Sequence, residues 1–129
     1  MLPFSVTLRS GDPIQEQVIY AVTRAVVGGQ LRPGDPFPSV RVLSQELGIN
    51  PNTAHRIVAA LIADGILVAR PGVGTVVADD AGARRTERRR GVEDGVERLV
   101  IESRRAGMSL QDLIASVRRQ WSRLVRRAG

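Results

Sequence analysis

Apolar residues recur along this chain at spacings that change from segment to segment, and each spacing predicts an element. Ile14, Val18, Ala21, Val22 and Ala25 stand three and four residues apart, which makes one apolar face of a helix. Asp12-Pro13 opens that segment, with Asp at the cap position and Pro at the first helical position, and Gly28-Gly29 ends it. Three prolines between Gln30 and Pro38 exclude a helix there and leave room for a very short strand at Pro36-Phe37. Ser39 is placed to cap a second helix from Val40 to Leu47, with Val40, Leu43 and Leu47 on one face. Gly48 breaks it and Ile49 fills the turn. Asn50-Pro51 repeats the cap-then-proline start, and a third helix is predicted from there to about Asp64, with Ala54, Ile57, Val58, Leu61 and Ile62 as its stripe.

Gly65 then closes the helical pattern. Ile66–Ala69 and Thr75–Ala78 are short runs with β-branched residues, joined by Arg70-Pro71-Gly72-Val73-Gly74. Helix, turn, helix and glycine-tipped hairpin in that order spell a winged helix-turn-helix, a module that lays its second helix in a DNA major groove. Asn52, Thr53, His55 and Arg56 lie near the start of the third helix, opposite its apolar stripe, where side chains that read base edges must stand.

Beyond Ala78 the pattern changes again. Asp79–Ala83 is a small-residue hinge, and Arg84–Arg90 opens a charged helix and reads first as a solvated helix face. Val92, Val96, Leu99, Val100 and Ser103 hold one side of that helix, with Glu93, Glu97, Arg98, Glu102, Arg104 and Arg105 toward solvent. Ala106-Gly107 ends it. Ser109 caps the last helix with Asp112 three residues on, a near capping box, and Leu110, Leu113, Ile114, Val117, Trp121, Leu124 and Val125 form its stripe. Two amphipathic helices in a hairpin cannot bury their own stripes, and a two-fold contact with a second copy is the common solution. Val96, Leu99, Val100, Leu110, Leu113, Ile114, Val117, Trp121 and Leu124 are the expected dimerisation residues, and Trp121 and Tyr20 read as core or interface anchors. The expected fold class is α+β, mostly α: a winged helix-turn-helix over 1–78, a hinge over 79–83 and a helical dimerisation hairpin over 84–129.

Composition narrows the chemistry. The 129 residues include no cysteine, so disulfides, a thiolate nucleophile and Cys-ligated zinc are excluded. His55 is the single histidine, and all nineteen basic residues are arginine. Without lysine there is neither a Schiff-base amine nor the phosphate-binding lysine of a P-loop. An enzyme is not expected, nor a cofactor or metal. The N-terminus lacks the pattern of a signal peptide, and no apolar run nears the roughly 18 residues of a membrane span; a soluble, cytoplasmic protein is expected. The formal net charge is +6. Through Ala78 six arginines face five acids, whereas thirteen face eight in the remainder, so the winged segment is nearly neutral and pattern, not charge, points to DNA.

The motifs P-I-x-x-Q-V, G-x-L-x-P-G-D-x-x-P-S-V-R-x-L, G-I-N-P-N-T-x-x-R and D-G-I-L-x-x-R-x-G-x-G-T-V-V resemble those of the GntR family of bacterial transcription regulators over about the first 78 residues. The short two-helix tail resembles the YtrA-type subfamily, whose members lack a large effector domain. The resemblance implies a homodimeric regulator, usually a repressor, bound to a palindromic double-stranded operator through helix 52–64 in the major groove and the 70–75 wing on the adjacent backbone or minor groove. By matching positions it implies that Arg41 reaches phosphates or the groove edge, and that Asn52, Thr53 and Arg56 lie on the recognition helix. Asn50 and Ser39 become phosphate-contacting caps, and Arg70, Gly72 and Gly74 belong to the wing. His55 stands where several relatives carry an arginine that reads guanine, Ala54 replaces the commoner valine, and Pro36-Phe37 replaces a polar–Leu pair. An unidentified small-molecule effector stays open as a partner; a membrane does not. The competing readings are an architectural winged helix without base reading, opposed by Asn-Pro-Asn-Thr with His-Arg, and a fragment of a regulator–aminotransferase fusion, opposed by the missing lysine.

Overall fold

In the computed structural model, residues 1–79 and 85–125 are described, and they fall into two compact units, an N-terminal and a C-terminal one. The N-terminal unit holds α1 (Ile14–Val27), α2 (Val40–Leu47), α3 (Pro51–Ala63), β1 (Leu67–Arg70) and β2 (Gly74–Val77). The C-terminal unit holds α4 (Arg85–Arg105) and α5 (Leu110–Val125). The predicted hinge, apart from Asp79, lies outside the described residues, as do Arg84 and residues 126–129.

α1 starts one residue later than its sequence suggests. Pro13 is the cap, with ψ of 127°, and no side chain caps the helix. The Asp12 cap does not form because Gln17 ties down the chain ahead of the helix: its Nε2 donates to the carbonyls of Arg9 and Asp12, and its Oε1 accepts from the Arg9 N–H. Val18, Val22 and Ala25 are buried as expected, but Ile14 is exposed, being too near the helix start to meet a neighbour. Tyr20 is no core residue either: it is 61% exposed, with the Arg24 guanidinium 5.8 Å from its ring centre. At the other end Gly29, not Gly28, takes the left-handed conformation (φ 80°), and Leu31 turns back to donate to the Ala25 carbonyl.

α2 and α3 pack on each other and α3 packs on α1, so Leu43, Ala54, Ile57, Val58 and Leu61 meet Val18 and Val22 in one core. Ile62 is exposed despite its place in the predicted stripe. Phe4 and Phe37 close one side as a stacked pair, 5.8 Å between centres and 5° between planes. Phe37 is thereby buried in the core cluster.

The strands pair antiparallel with Leu67 opposite Val77 and Arg70 opposite Gly74, so each runs one residue nearer the tip than the predicted run, while Ala78 N–H still donates to the Ile66 carbonyl at the base. β2 also pairs beyond the hairpin. Pro36 bridges to Val76, Phe37 N–H donates to the Thr75 carbonyl, and Val77 N–H donates to the Asp35 carbonyl. The predicted short strand at Pro36-Phe37 is therefore a single bridge on the free edge of β2. Proline is tolerated there because an edge position needs no donor from it.

In the C-terminal unit Gly107 takes a left-handed turn (φ 75°), and the capping box forms in full. Ser109 N–H donates to Asp112 Oδ2 at 3.0 Å, and Asp112 N–H donates to Ser109 Oγ at 3.1 Å. Neither helix covers the other's stripe. Leu99 is 44% and Trp121 69% exposed, and Ser103 is the one buried residue among those described in this unit.

Candidate nucleic-acid interface

The start of α3 is built by local chemistry. Asn50 has extended backbone, and its Oδ1 accepts from Asn52 N–H at 2.8 Å; Pro51 follows, preset for a first helical turn. One face of α3 is then fixed by burial, since Ala54, Ile57, Val58 and Leu61 have nowhere else to go. The opposite face follows from the 3.6-residue period and carries Asn52, His55, Arg56 and Ala59, all exposed. Thr53 sits at the flank, half-buried.

α2 is held in the same way. Ser39 Oγ accepts from Val42 N–H at 3.2 Å, and Gly48 closes the helix in the left-handed conformation (φ 64°). Arg41, in the first turn, is exposed. Both caps keep a donor in reserve. The Ser39 hydroxyl proton and the Asn50 amide N–H groups are not used in capping, so each can donate to a phosphate oxygen.

The wing is a four-by-four-residue hairpin with Val73 N–H donating to the Arg70 carbonyl across its tip. Gly72 (φ 77°) and Gly74 (φ 108°) have conformations that an L side chain strains to adopt, with open space where a Cβ would stand. Arg70 and Gly74 are the paired strand ends and not part of the free tip. Both remain exposed, together with Gly72.

The structure thus brings Asn52, His55 and Arg56 onto one face, with Thr53 at its edge. Ser39 and Arg41 open one neighbouring helix, and Arg70, Gly72 and Gly74 form a separate projection. Sequence reasoning missed Ala59, one turn along α3 on the exposed face. Its signal was the four-residue step from His55, and its methyl suits contact with a thymine methyl. Among the described residues no His, Cys, Asp or Glu group could hold a metal, and no helix is long and apolar enough to cross a membrane.

Residues 14–77 match the model of the bacterial regulatory proteins of the gntR family. The chain is also 32% identical, over 106 residues, to the HTH-type transcriptional repressor YtrA of Bacillus subtilis (strain 168), an alignment covering 81% of this chain and 82% of that one. The chain belongs to the GntR family. Like other GntR proteins it is a DNA-binding transcription regulator and not an enzyme. The uncharacterized HTH-type regulator YhcF of the same bacterium is 26% identical over 110 residues, 85% of this chain and 91% of its own. Among solved structures, a GntR family transcriptional regulator from Listeria monocytogenes superposes with a TM-score of 0.68 at 25% identity, covering 87% of this chain and 98% of that one. A transcriptional antiterminator from Listeria monocytogenes EGD-e gives 0.77 at 22%, covering 92% and 89%, and shares the fold.

Proposed function

We propose that this GntR protein is a homodimeric repressor that binds a palindromic operator. The polarised start of α3 carries the reading: Asn52, His55 and Arg56 project from one face while the other is locked into the core. In this reading α3 enters the major groove. Arg56 and Asn52 hydrogen-bond base edges, with Thr53 and His55 at the border between base and phosphate. Arg41, Ser39 and Asn50 hold the backbone beside it, and Arg70 with the glycines of the wing follows the neighbouring backbone or minor groove. The stripes of α4 and α5, exposed at Val96, Leu99, Val100, Leu110, Ile114, Val117 and Trp121 and half-buried at Leu113 and Leu124, join two copies about a two-fold axis. Two recognition helices then meet half-sites one or more turns apart, roughly 34 Å per turn. Similarity to a protein named as a repressor supports the direction of regulation: occupancy of a promoter blocks transcription.

The test is a mobility shift on the DNA upstream of this protein's own gene, with Arg56→Ala alongside. Nanomolar binding that survives competitor DNA and weakens with Arg56→Ala is the expected result. Losing one bidentate contact removes about 1–3 kcal/mol of discrimination. Weak binding that competitor removes, unaltered by Arg56→Ala on this and on randomised operator pools, would overturn base reading by α3.

A further inference from the structure

We infer that the arginine cluster at the start of α4 is a second DNA contact, gripping backbone phosphates that flank the sequence read by the winged helix. This rests on the DNA-binding reading above and adds to it a site outside the GntR-matched residues, which end at Val77.

Three observations carry it. First, Arg85, Arg88, Arg89 and Arg90 are all exposed, with Glu87 the one acid among residues 85–90, a local net of +3. Cations in the first turns oppose the helix dipole, whereas Arg104 and Arg105 at the far end of α4 comply with it. Local stability therefore gives no reason for the cluster. Second, three of the four arginines are not absorbed within the protein. Among the described residues no ion pair engages Arg85, Arg89 or Arg90, although Glu93 and Asp94 follow four residues after the last two. Third, Arg85 and Arg89 continue, at alternating three- and four-residue steps, the line of Val92, Val96, Leu99 and Ser103. The apolar seam ends at Val92 and its next two positions toward the helix start are cations, which a self-association seam would not bury. About 10 Å of helix, seven residues at roughly 1.5 Å each, extends past that seam.

Chain length supplies the partner. Val77 ends β2 and Arg85 begins α4 eight residues later, so an extended connection spans at most about 26–29 Å. When the wing lies on a duplex, the cluster is tethered within about one helical turn of it, at the high effective concentration that a short linker gives. Arginine on a phosphodiester is the matching chemistry, and each contact releases condensed counterions.

The test compares wild type with the triple variant Arg85→Gln, Arg89→Gln, Arg90→Gln on a long random-sequence duplex, by anisotropy across a salt series. Glutamine keeps the helix propensity and removes only charge. The slope of log K against log salt should become shallower by roughly 0.9 per contact, about 2 to 3 for each bound protomer, with affinity near 0.1 M salt down on the order of 100-fold. Preference for a specific site over random DNA should not change. An unchanged slope overturns the proposal, as does a variant whose oligomeric state shifts, because the arginines then serve a protein contact. Competing inorganic phosphate that binds wild type, is lost in the variant, and leaves the DNA slope intact also overturns it in favour of a free-anion site. Arg56→Ala, run beside it, separates the two readings: base reading by α3 can fail there while the random-DNA slope still reports the cluster.

Discussion

The two units of this chain are made of similar material and reach opposite outcomes. Amphipathic helices build both, and each unit has at least one helix capped by a serine side chain, Ser39 in the first and Ser109 in the second. In the N-terminal unit three helices and a hairpin surround one core, and Val18, Val22, Leu43, Ala54, Ile57, Leu61 and Val77 have no exposed surface at all. In the C-terminal unit two longer helices leave Val92, Val96, Leu99, Ile114, Val117 and Trp121 exposed. The quality of the stripes does not explain this, since that of α5 is unbroken from Leu110 to Leu124. What differs is the number of elements around them. About forty residues bury too little surface to be stable alone and draw on oligomerisation, whereas about eighty suffice. Under the proposed two-fold assembly, stability is intramolecular in the first unit and a property of association in the second.

The largest effect that would sharpen this contrast comes from the core. Leu61→Ala should cost about 2–5 kcal/mol, the range for a buried leucine, at any protein concentration, as read by urea unfolding followed by circular dichroism. A strongly concentration-dependent loss would break the comparison, because the N-terminal unit would then also depend on assembly. Next in size is the stripe. Leu99→Asp with Ile114→Asp should leave the N-terminal unit's unfolding unchanged while converting the proposed dimer to monomer in sedimentation. Operator affinity should fall about 100-fold or more with the loss of bivalent attachment. Trp121, the single tryptophan, reports the same event, with emission shifting to the red on dilution of wild type and already red in the variant.

Legibility in the sequence followed the range of the interactions involved. Ser39, Gly48, Asn50 and the Ser109–Asp112 box were readable because each acts within three residues of itself. So was the face of α3 bearing Asn52, His55 and Arg56, because burial of Ala54, Ile57, Val58 and Leu61 orients it. The failures have other causes. Asp12 lost its capping role to the Gln17 amide, which holds the preceding segment. The strands reach one residue nearer the tip than predicted because Arg70 and Gly74 pair as well. Ile14 and Ile62 obey the periodicity, yet they lie where no neighbour covers them. Ala59 escaped notice because alanine has no polarity to mark the exposed face.

The same cap can be removed from each unit to refine the comparison further. Ser39→Ala and Ser109→Ala each delete a hydroxyl that accepts a first-turn N–H, at a typical cost of about 1 kcal/mol. In the N-terminal unit that loss should appear as a lower unfolding midpoint independent of concentration. In the C-terminal unit it should appear chiefly as weaker association, because the proposed dimer is where α5 gains its stability. Equal shifts at all concentrations for both variants would contradict the division drawn above.

The smallest expected effect is a pH dependence confined to α5. The Ser109 backbone N–H, and next its side chain, hold the Asp112 carboxyl below its ordinary value of 3.8. A carboxyl with a depressed folded pKa releases its proton more readily in the folded state. Its contribution is therefore complete above the ordinary value and is lost as pH falls through the lower, folded one. Between pH 5 and 8 Asp112 should add no slope to stability. Below about pH 4, wild type should begin to lose α5 helicity and association, a step that Asp112→Asn lacks because it has no proton to take up. Because the group is solvent-exposed, the step should be shallower than the effect of Ser109→Ala, and no matching step should arise from the Ser39 cap, which contains no carboxylate. Superimposable acid titrations of wild type and Asp112→Asn would show that the capping box contributes through the serine alone.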